Sequence, residues 1–241
     1  KQTDWKTLDG KSVTPYQFNC IKDAKDFLLK YESQPHLVHG LNRFAYTYIS
    51  DTFPQKVNWN IDKILIMTID IEVQCENGFP NPESAIEPLL SITVKNQQSK
   101  KIIVWGIQPY KNTREDVTYI RCPNEHDLIM EFMSFWTKNY PDVITGWNTD
   151  FFDIPYLANR IKQVCGEDKM RELSPWKNVS SKQIYSMGRN HLMYDIMGVS
   201  QYDYLQLYQK FTYTRQESYK LDYIASVELG EKKDENPYET F

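Results

Sequence analysis

Several things are scarce in this 241-residue sequence, and each scarcity excludes something. Its four cysteines, Cys20, Cys75, Cys122 and Cys165, are scattered and form no C-x-x-C pair. That argues against a zinc site and for a reducing compartment. No apolar run is long enough to span a bilayer and no signal peptide is present, so no membrane partner is expected. A basic surplus is also missing: the formal net charge is -4 and the pI about 5.7. Tight non-specific duplex binding relies on a basic surface and has no support here. A nuclease is still compatible, because its site is acidic and its grip on a single strand can be local. There is no internal repeat and no low-complexity tract. The first residue is Lys1 rather than Met, which suggests a start inside a longer chain.

What is present suits a folded domain. Hydrophobic residues make up 41% of the chain, aromatic residues 14% and charged residues 25%, ample for a buried core in a globular protein. The length allows one large domain, or one domain plus part of another.

The run Ile64-Leu-Ile-Met-Thr-Ile-Asp-Ile-Glu-Val73 organises the rest. Its apolar, β-branched character predicts a central strand covered on both sides. Side chains alternate along a strand, so Asp70 and Glu72 point to the same face. Two carboxylates that close repel each other unless something positive joins them, and a divalent metal with oxygen ligands would do so. Alternatively, one of the pair lies in water at the strand end.

Residues 1 to about 60 read as a small mixed α/β piece. A helix is expected around Ile21, Ala24, Phe27, Leu28 and Tyr31, with short strands at His36 to Gly40 and Phe44 to Ile49. His36 and His39 read as surface or packing residues. After the central strand, the turn-rich loop from Glu76 to Pro82 carries Phe79, either an anchor for the loop or an exposed platform for a nucleobase. Leu89 to Lys95 and Lys101 to Ile107 predict a hairpin that continues the central strand as an antiparallel meander. Tyr119 to Cys122 is a further strand. Asn124 is a predicted N-cap for a helix with Leu128, Ile129, Phe132, Phe135 and Trp136 on its apolar side. A strand then follows Asp142, parallel to its neighbour because a helix connects them.

The next stretch, Thr145-Gly-Trp-Asn-Thr-Asp-Phe-Phe-Asp-Ile-Pro-Tyr, takes that strand into a helix beginning at Asp153, with Pro155 in the first turn. Asp153 reads locally as an N-cap; the alternative is a metal ligand reaching the sheet edge near Asp70 and Glu72. From Ser174 to Tyr194 there is no Asp or Glu, while Lys177, Lys182, Arg189 and His191 lie among aromatic and aliphatic residues. Alternating character and the Met-Gly-Arg-Asn turn predict a long β-hairpin, roughly Val179 to Asp195. It is either a nucleic-acid-contacting element or an ordinary edge protected by lysines. Asp203 to Phe211 and the stretch from Ser218 predict two further helices.

Thr68-Ile-Asp-Ile-Glu-Val resembles the first exonuclease motif of the family B DNA polymerases. Thr145-Gly-Trp-Asn through Phe152-Asp-Ile-Pro-Tyr-Leu-Ala-Asn-Arg160 resembles the second. Asp203-Tyr-Leu-Gln-Leu-Tyr and Tyr219-Lys-Leu-Asp-Tyr-Ile follow at the expected places. The resemblance is strongest to the T-even-like bacteriophage type and runs through most of the chain. It implies an α/β fold with an RNase H-like mixed five-stranded sheet flanked by helices. Residues 1–60 would be part of the polymerase N-terminal domain, and residues 61–241 most of the 3′–5′ proofreading exonuclease domain.

The resemblance also implies two Mg²⁺ or Mn²⁺ ions held by four carboxylates, three of which match Asp70, Glu72 and Asp153. The fourth belongs in a Tyr-x-x-x-Asp motif, a spacing this sequence lacks, so the chain would stop before the third exonuclease motif. Phe79 and Asn148 would hold the strand, and Lys182 and Arg189 of the basic hairpin would contact DNA and help separate primer from template. The implied partners are single-stranded DNA or a frayed primer 3′ end, the remainder of the polymerase chain and a sliding clamp, in the cytoplasm of a phage-infected cell. Two rival readings are a free-standing 3′–5′ exonuclease and a non-catalytic nucleic-acid-binding module.

Overall fold

The computed structural model describes residues 5–40, 44–55, 58–75, 78–186 and 188–231. Three sequence expectations fall partly outside these: Glu76 and Asn77 of the Phe79 loop, Met187 of the hairpin turn, and the tail beyond residue 231. The chain divides into two compact units, Lys1–Trp59 and Asn60–Phe241.

In the first unit, β1 (Trp5–Lys6) pairs antiparallel with β2 (Ser12–Val13). Then come α1 (Ile21–Lys30), a 3-10 turn at Pro35–Leu37 and α2 (Phe44–Thr52). The last two replace the expected short strands. Phe44-Ala-Tyr-Thr-Tyr-Ile alternates in polarity and is rich in β-formers, but its aromatic residues also recur at i and i+4, a spacing a helix accepts. Burial does not arbitrate between the two periods, since Tyr46, Tyr48 and Ile49 are all exposed. Tyr16, Phe18, Phe27 and Tyr31 form an aromatic cluster against α1, with neighbouring ring centroids 4.8–5.2 Å apart.

The second unit is built on a six-stranded sheet. Its meander consists of β3 (Ile66–Val73), β4 (Leu89–Asn96) and β5 (Ile102–Gly106), paired antiparallel; β6 (Val117–Arg121) adds parallel to β5. The chain crosses back through α3 (Glu125–Lys138) to β7 (Val143–Gly146), which lies parallel to β3. After α4 (Asp153–Cys165), the short α5 (Glu167–Arg171) and a separate hairpin of β8 (Val179–Ser186) and β9 (Arg189–Ile196), β10 (Ser200–Asp203) joins the outer edge of β7. The strand order is β10-β7-β3-β4-β5-β6. Helices α6 (Tyr204–Phe211) and α7 (Leu221–Leu229) close the described chain.

This is the mixed, helix-flanked sheet of an RNase H-like fold. The count is six strands rather than five. The additional strand, Ser200-Gln-Tyr-Asp, is short and polar and pairs only with β7, so it carries none of the apolar alternation that marks an inner strand. A second correction concerns β3. Met67, Ile69 and Ile71 are buried, whereas Asp70 and Glu72 are exposed, so the strand is covered on one face only. Ile64, Leu65 and Ile66 are half-buried at its entry, and their apolar run conceals the alternation that follows.

Helices α3 and α4 pack over the covered face. The core unites Met67, Ile69 and Ile71 with Ile92 and Val94, Trp105, Phe132 and Trp136 of α3, and Ile154, Leu157 and Ile161 of α4. Asn124 caps α3 as predicted, accepting from the Asp127 amide at 2.9 Å. Helix α4 is tied down by Arg160, whose guanidinium meets the Glu125 carboxylate in two bonds of 2.7 Å and donates to the carbonyls of Ala85 and Ile86. Both side chains of this bidentate pair are mostly buried, where such geometry is strongest.

Gly146 ends β7 where two backbones meet closely. A Cβ there would lie 2.6 Å from the Ile69 carbonyl oxygen and 2.4 Å from Thr149 Cγ2. The carbonyl belongs to the central strand and cannot swing aside. Gly146→Ala is therefore expected to destabilise the unit by about 1–3 kcal/mol, seen as a lower urea midpoint. An unchanged midpoint would mean that β7 can slide along β3 without cost.

Candidate functional site

The pleat of β3 turns Asp70 and Glu72 to the uncovered face. They stand opposite Thr93 and Ser91 of β4, and the register shifts immediately after Glu72. Such a bulge bends the strand and re-aims its side chains.

Asp153 approaches from α4. It is the first residue of that helix, but it does not cap it; the residue before the helix is Phe152, and no side chain caps the end. Instead Asp153 Oδ1 accepts a hydrogen bond of 3.1 Å from the amide of Ile71, between Asp70 and Glu72 in sequence. The side chain is 3% exposed. Burial, then the negative charge of Asp70, push its carboxyl up to about 8, against the opposing pull of the Ile71 amide. The local reading of Asp153 as an N-cap is thus replaced by a contact that joins α4 to the strand bearing the other two carboxylates.

Between β7 and α4 the chain makes a tight loop. Asn148 sits in the left-handed region at φ 65°, which Asn tolerates better than most residues. Its carbonyl accepts from the amides of Phe151 at 3.2 Å and Phe152 at 3.0 Å. The loop also holds Asp150, buried, with Oδ2 accepting from Gln206 Nε2 at 2.9 Å. Desolvation and the neighbouring Asp203 push the Asp150 carboxyl up to about 6; the Gln206 bond and the Lys182 charge oppose them. Neither Asp150 nor Asp203 stands out in sequence as a buried acid, because local pattern cannot reveal that a loop folds down onto the end of an edge strand.

Phe79 is 81% exposed, with its ring 5.0 Å from that of Phe152, the residue next to Asp153. It is an exposed aromatic surface resting on the helix start. Lys182 lies on β8, whose residues are mostly exposed, and Arg189 at the start of β9, also exposed. The hairpin spans almost the residues expected of it. Its inner strand meets the body through Tyr194, which donates to Asn159 Oδ1 at 2.6 Å, and through His191, whose ring is 4.5 Å from that of Phe151. The hairpin therefore stands against the same loop that carries Asn148.

Among the described residues, no three His, Cys, Asp or Glu side chains are grouped so that they could hold a metal ion. Asp70 and Asp153 nevertheless interact as like charges. Asp70, Glu72 and Asp153 offer carboxylate oxygen only, the chemistry that hard dications prefer. A positive ion between Asp70 and Asp153 would relieve their repulsion, so the donor chemistry fits Mg²⁺ or Mn²⁺.

Residues 41–224 match the family model described as DNA polymerase family B, exonuclease domain. Among curated proteins, the chain is similar to the DNA-directed DNA polymerase of Escherichia phage RB69, at 32% identity over 95% of this chain and 28% of that protein. It is similar to the DNA-directed DNA polymerase of Enterobacteria phage T4, at 31% identity over 99% of this chain and 29% of that protein. A more distant relative is the DNA polymerase delta catalytic subunit of Candida albicans, 29% identical over 76% of this chain and 18% of that protein. The chain thus spans less than a third of the length of these relatives.

Proposed function

Because the chain belongs to the exonuclease domain of the family B DNA polymerases, we propose that it is part of a replicative DNA-directed DNA polymerase and that its second unit trims the 3′ end of single-stranded or frayed DNA. The observation that carries this reading is the meeting of α4 with β3. Asp153 bonds to the Ile71 amide and feels the charge of Asp70, across 82 residues of sequence. Nothing in local helix capping requires that contact.

In this reading Asp70, Glu72 and Asp153 hold the metal ions. When bound, Mg²⁺ or Mn²⁺ supplies an activated water and stabilises the departing 3′ oxygen. The remaining work falls to the chain itself. Phe79 offers its exposed ring for stacking by a terminal base, a sequence-tolerant contact. Asn148 faces the strand from the loop. Lys182 and Arg189 attract the phosphate backbone, fixing its position without reading sequence. A net charge of -4 suits this local grip better than general duplex binding. The proposed partners are a frayed primer end, the rest of a polymerase chain and a sliding clamp, in the cytoplasm of a phage-infected cell. Among the described residues no helix is long and apolar enough to cross a membrane.

Calorimetric titration with Mn²⁺ tests the ligand assignment without requiring turnover. Asp70→Ala combined with Glu72→Ala is expected to weaken binding by about tenfold or more, since even outer-shell changes at metal sites cost that much. Equal binding by both proteins would remove these carboxylates from the ligand set.

A further inference from the structure

One buried carboxylate is not used by the mechanism above, yet it lies at the junction of everything that carries the strand-contacting loop. Asp203 ends β10, in register with Gly146 of β7, and is 2% exposed. Its Oδ1 accepts from the Asn148 amide at 2.9 Å and from the Leu205 amide at 2.9 Å. Its Oδ2 accepts from the Asp150 amide at 3.2 Å. The Leu205 bond caps α6 and is an ordinary helix-start contact. The other two are not: they reach 53 and 55 residues back along the sequence to pin alternate amides of one loop. The pinned loop is the one in which Asn148 adopts a left-handed backbone and its carbonyl holds the amides of Phe151 and Phe152.

We propose that Asp203 is a positioning residue, a carboxylate clasp that fixes the Asn148 loop and thereby sets the affinity of the site for a single DNA strand. The proposal rests on the reading of Asn148 as a strand contact. Three amide donors converge on one buried carboxyl group, and in a dry setting each donor left unpaired is costly. Without the clasp, the amides of Asn148 and Asp150 lose the carboxyl partner that holds this loop. The loop would then pay for ordering when it binds a strand, and affinity would fall accordingly. Both oxygens of Asp203 already accept from backbone amides, three bonds in all, which ties the carboxylate to the loop.

The test uses anisotropy of a fluorescent oligo(dT) with the 241-residue chain in the absence of divalent ions. Asp203→Asn places an NH₂ donor where an amide must be accepted, and is expected to weaken binding about tenfold. Asn148→Ala should weaken it comparably, and the double variant should bind no worse than Asn148→Ala alone. That non-additivity separates a clasp acting through Asn148 from general loss of stability, whose effects on separate sites would multiply. Weak binding by Asn148→Ala with normal binding by Asp203→Asn overturns the clasp alone. Normal binding by Asn148→Ala overturns the Asn148 reading, and with it the affinity role of Asp203. A second measurement needs no variant. In the wild-type chain the Asn148 and Asp150 amides should exchange with solvent as slowly as those of the β7–β10 pairing, and fast exchange of both would exclude the clasp.

Discussion

Asp153→Asn should raise the thermal midpoint of the metal-free protein at pH 9 and change it little at pH 4. The carboxyl of Asp153 titrates near 8 in the folded chain, well above the 3.8 of an unperturbed aspartate, because it is buried and faces the charge of Asp70. The sign follows from which state holds the proton. Below pH 4 the group is protonated whether the chain is folded or not, and its favourable contribution is fully present. As pH rises from about 4 to 8, the unfolded chain releases the proton while the folded chain retains it, so stability falls. Above 8 the folded chain carries a buried carboxylate and the loss is complete. Asn is neutral throughout and keeps an oxygen for the Ile71 amide. At about 1.4 kcal/mol per pH unit, the variant's advantage at pH 9 is on the order of a few kcal/mol, or roughly 5–10 °C in a chain of this size. Asp150, pushed up to about 6, adds its own loss between pH 4 and 6, but it is common to both proteins and cancels in the comparison. Calorimetric scans in EDTA across this range provide the measurement. Parallel pH profiles would mean that Asp153 is ionised in the folded state and that its crowding by Asp70 is unimportant. Adding Mn²⁺ at pH 8 should then stabilise the wild-type protein more than the variant, since only the wild-type site gains a charge partner.

Some parts of the site were legible in the sequence, and others depended on contacts between distant segments. Asp70 and Glu72 were readable because side chains alternate along a regular strand, and their separation by one residue, ahead of the register shift after Glu72, fixes a common face. The hairpin of β8 and β9 was readable because residue character alternates on either side of a glycine-containing turn. Helices α3 and α4 followed from apolar spacing and, in α3, from the Asn124 cap. Asp153 was misread locally, since a carboxylate at a helix start ordinarily caps it; only the tertiary approach of β3 offers the Ile71 amide as a better donor. Asp203 was hidden for the same reason. Its two partners in the Asn148 loop lie more than 50 residues away, and β10 itself is a short polar edge strand. Side-chain alternation is a local rule, whereas capture of a distant amide depends on which elements the core brings together.

Release of 3′ nucleotides from a labelled single strand should be very slow with the 241-residue chain, even in millimolar Mg²⁺, and should rise in a protein extended by a segment that carries a Tyr-x-x-x-Asp motif. The argument is one of charge and placement. Two dications carry four positive charges, and Asp70, Glu72 and Asp153 together supply at most three negative ones, once metal has displaced the Asp153 proton. The resemblance to the family places the fourth carboxylate in a motif whose spacing does not occur in this sequence. Asp203 is not counted as that fourth carboxylate, because three backbone amides, those of Asn148, Asp150 and Leu205, already hold it in the loop. Loss of one positioned catalytic group typically costs about 10²–10³ in rate, and groups acting as a unit do not contribute additively. The extended protein should therefore exceed the shorter one by at least about 10². Asp70→Ala with Glu72→Ala in the extended protein should return it to the level of the short chain or below, with binding of oligo(dT) in EDTA undiminished, because each carboxylate removed is one that repels a polyanion. Comparable rates from the two lengths of wild-type protein would show that the fourth ligand already lies within these residues, with Asp222 at the start of α7 the next to replace.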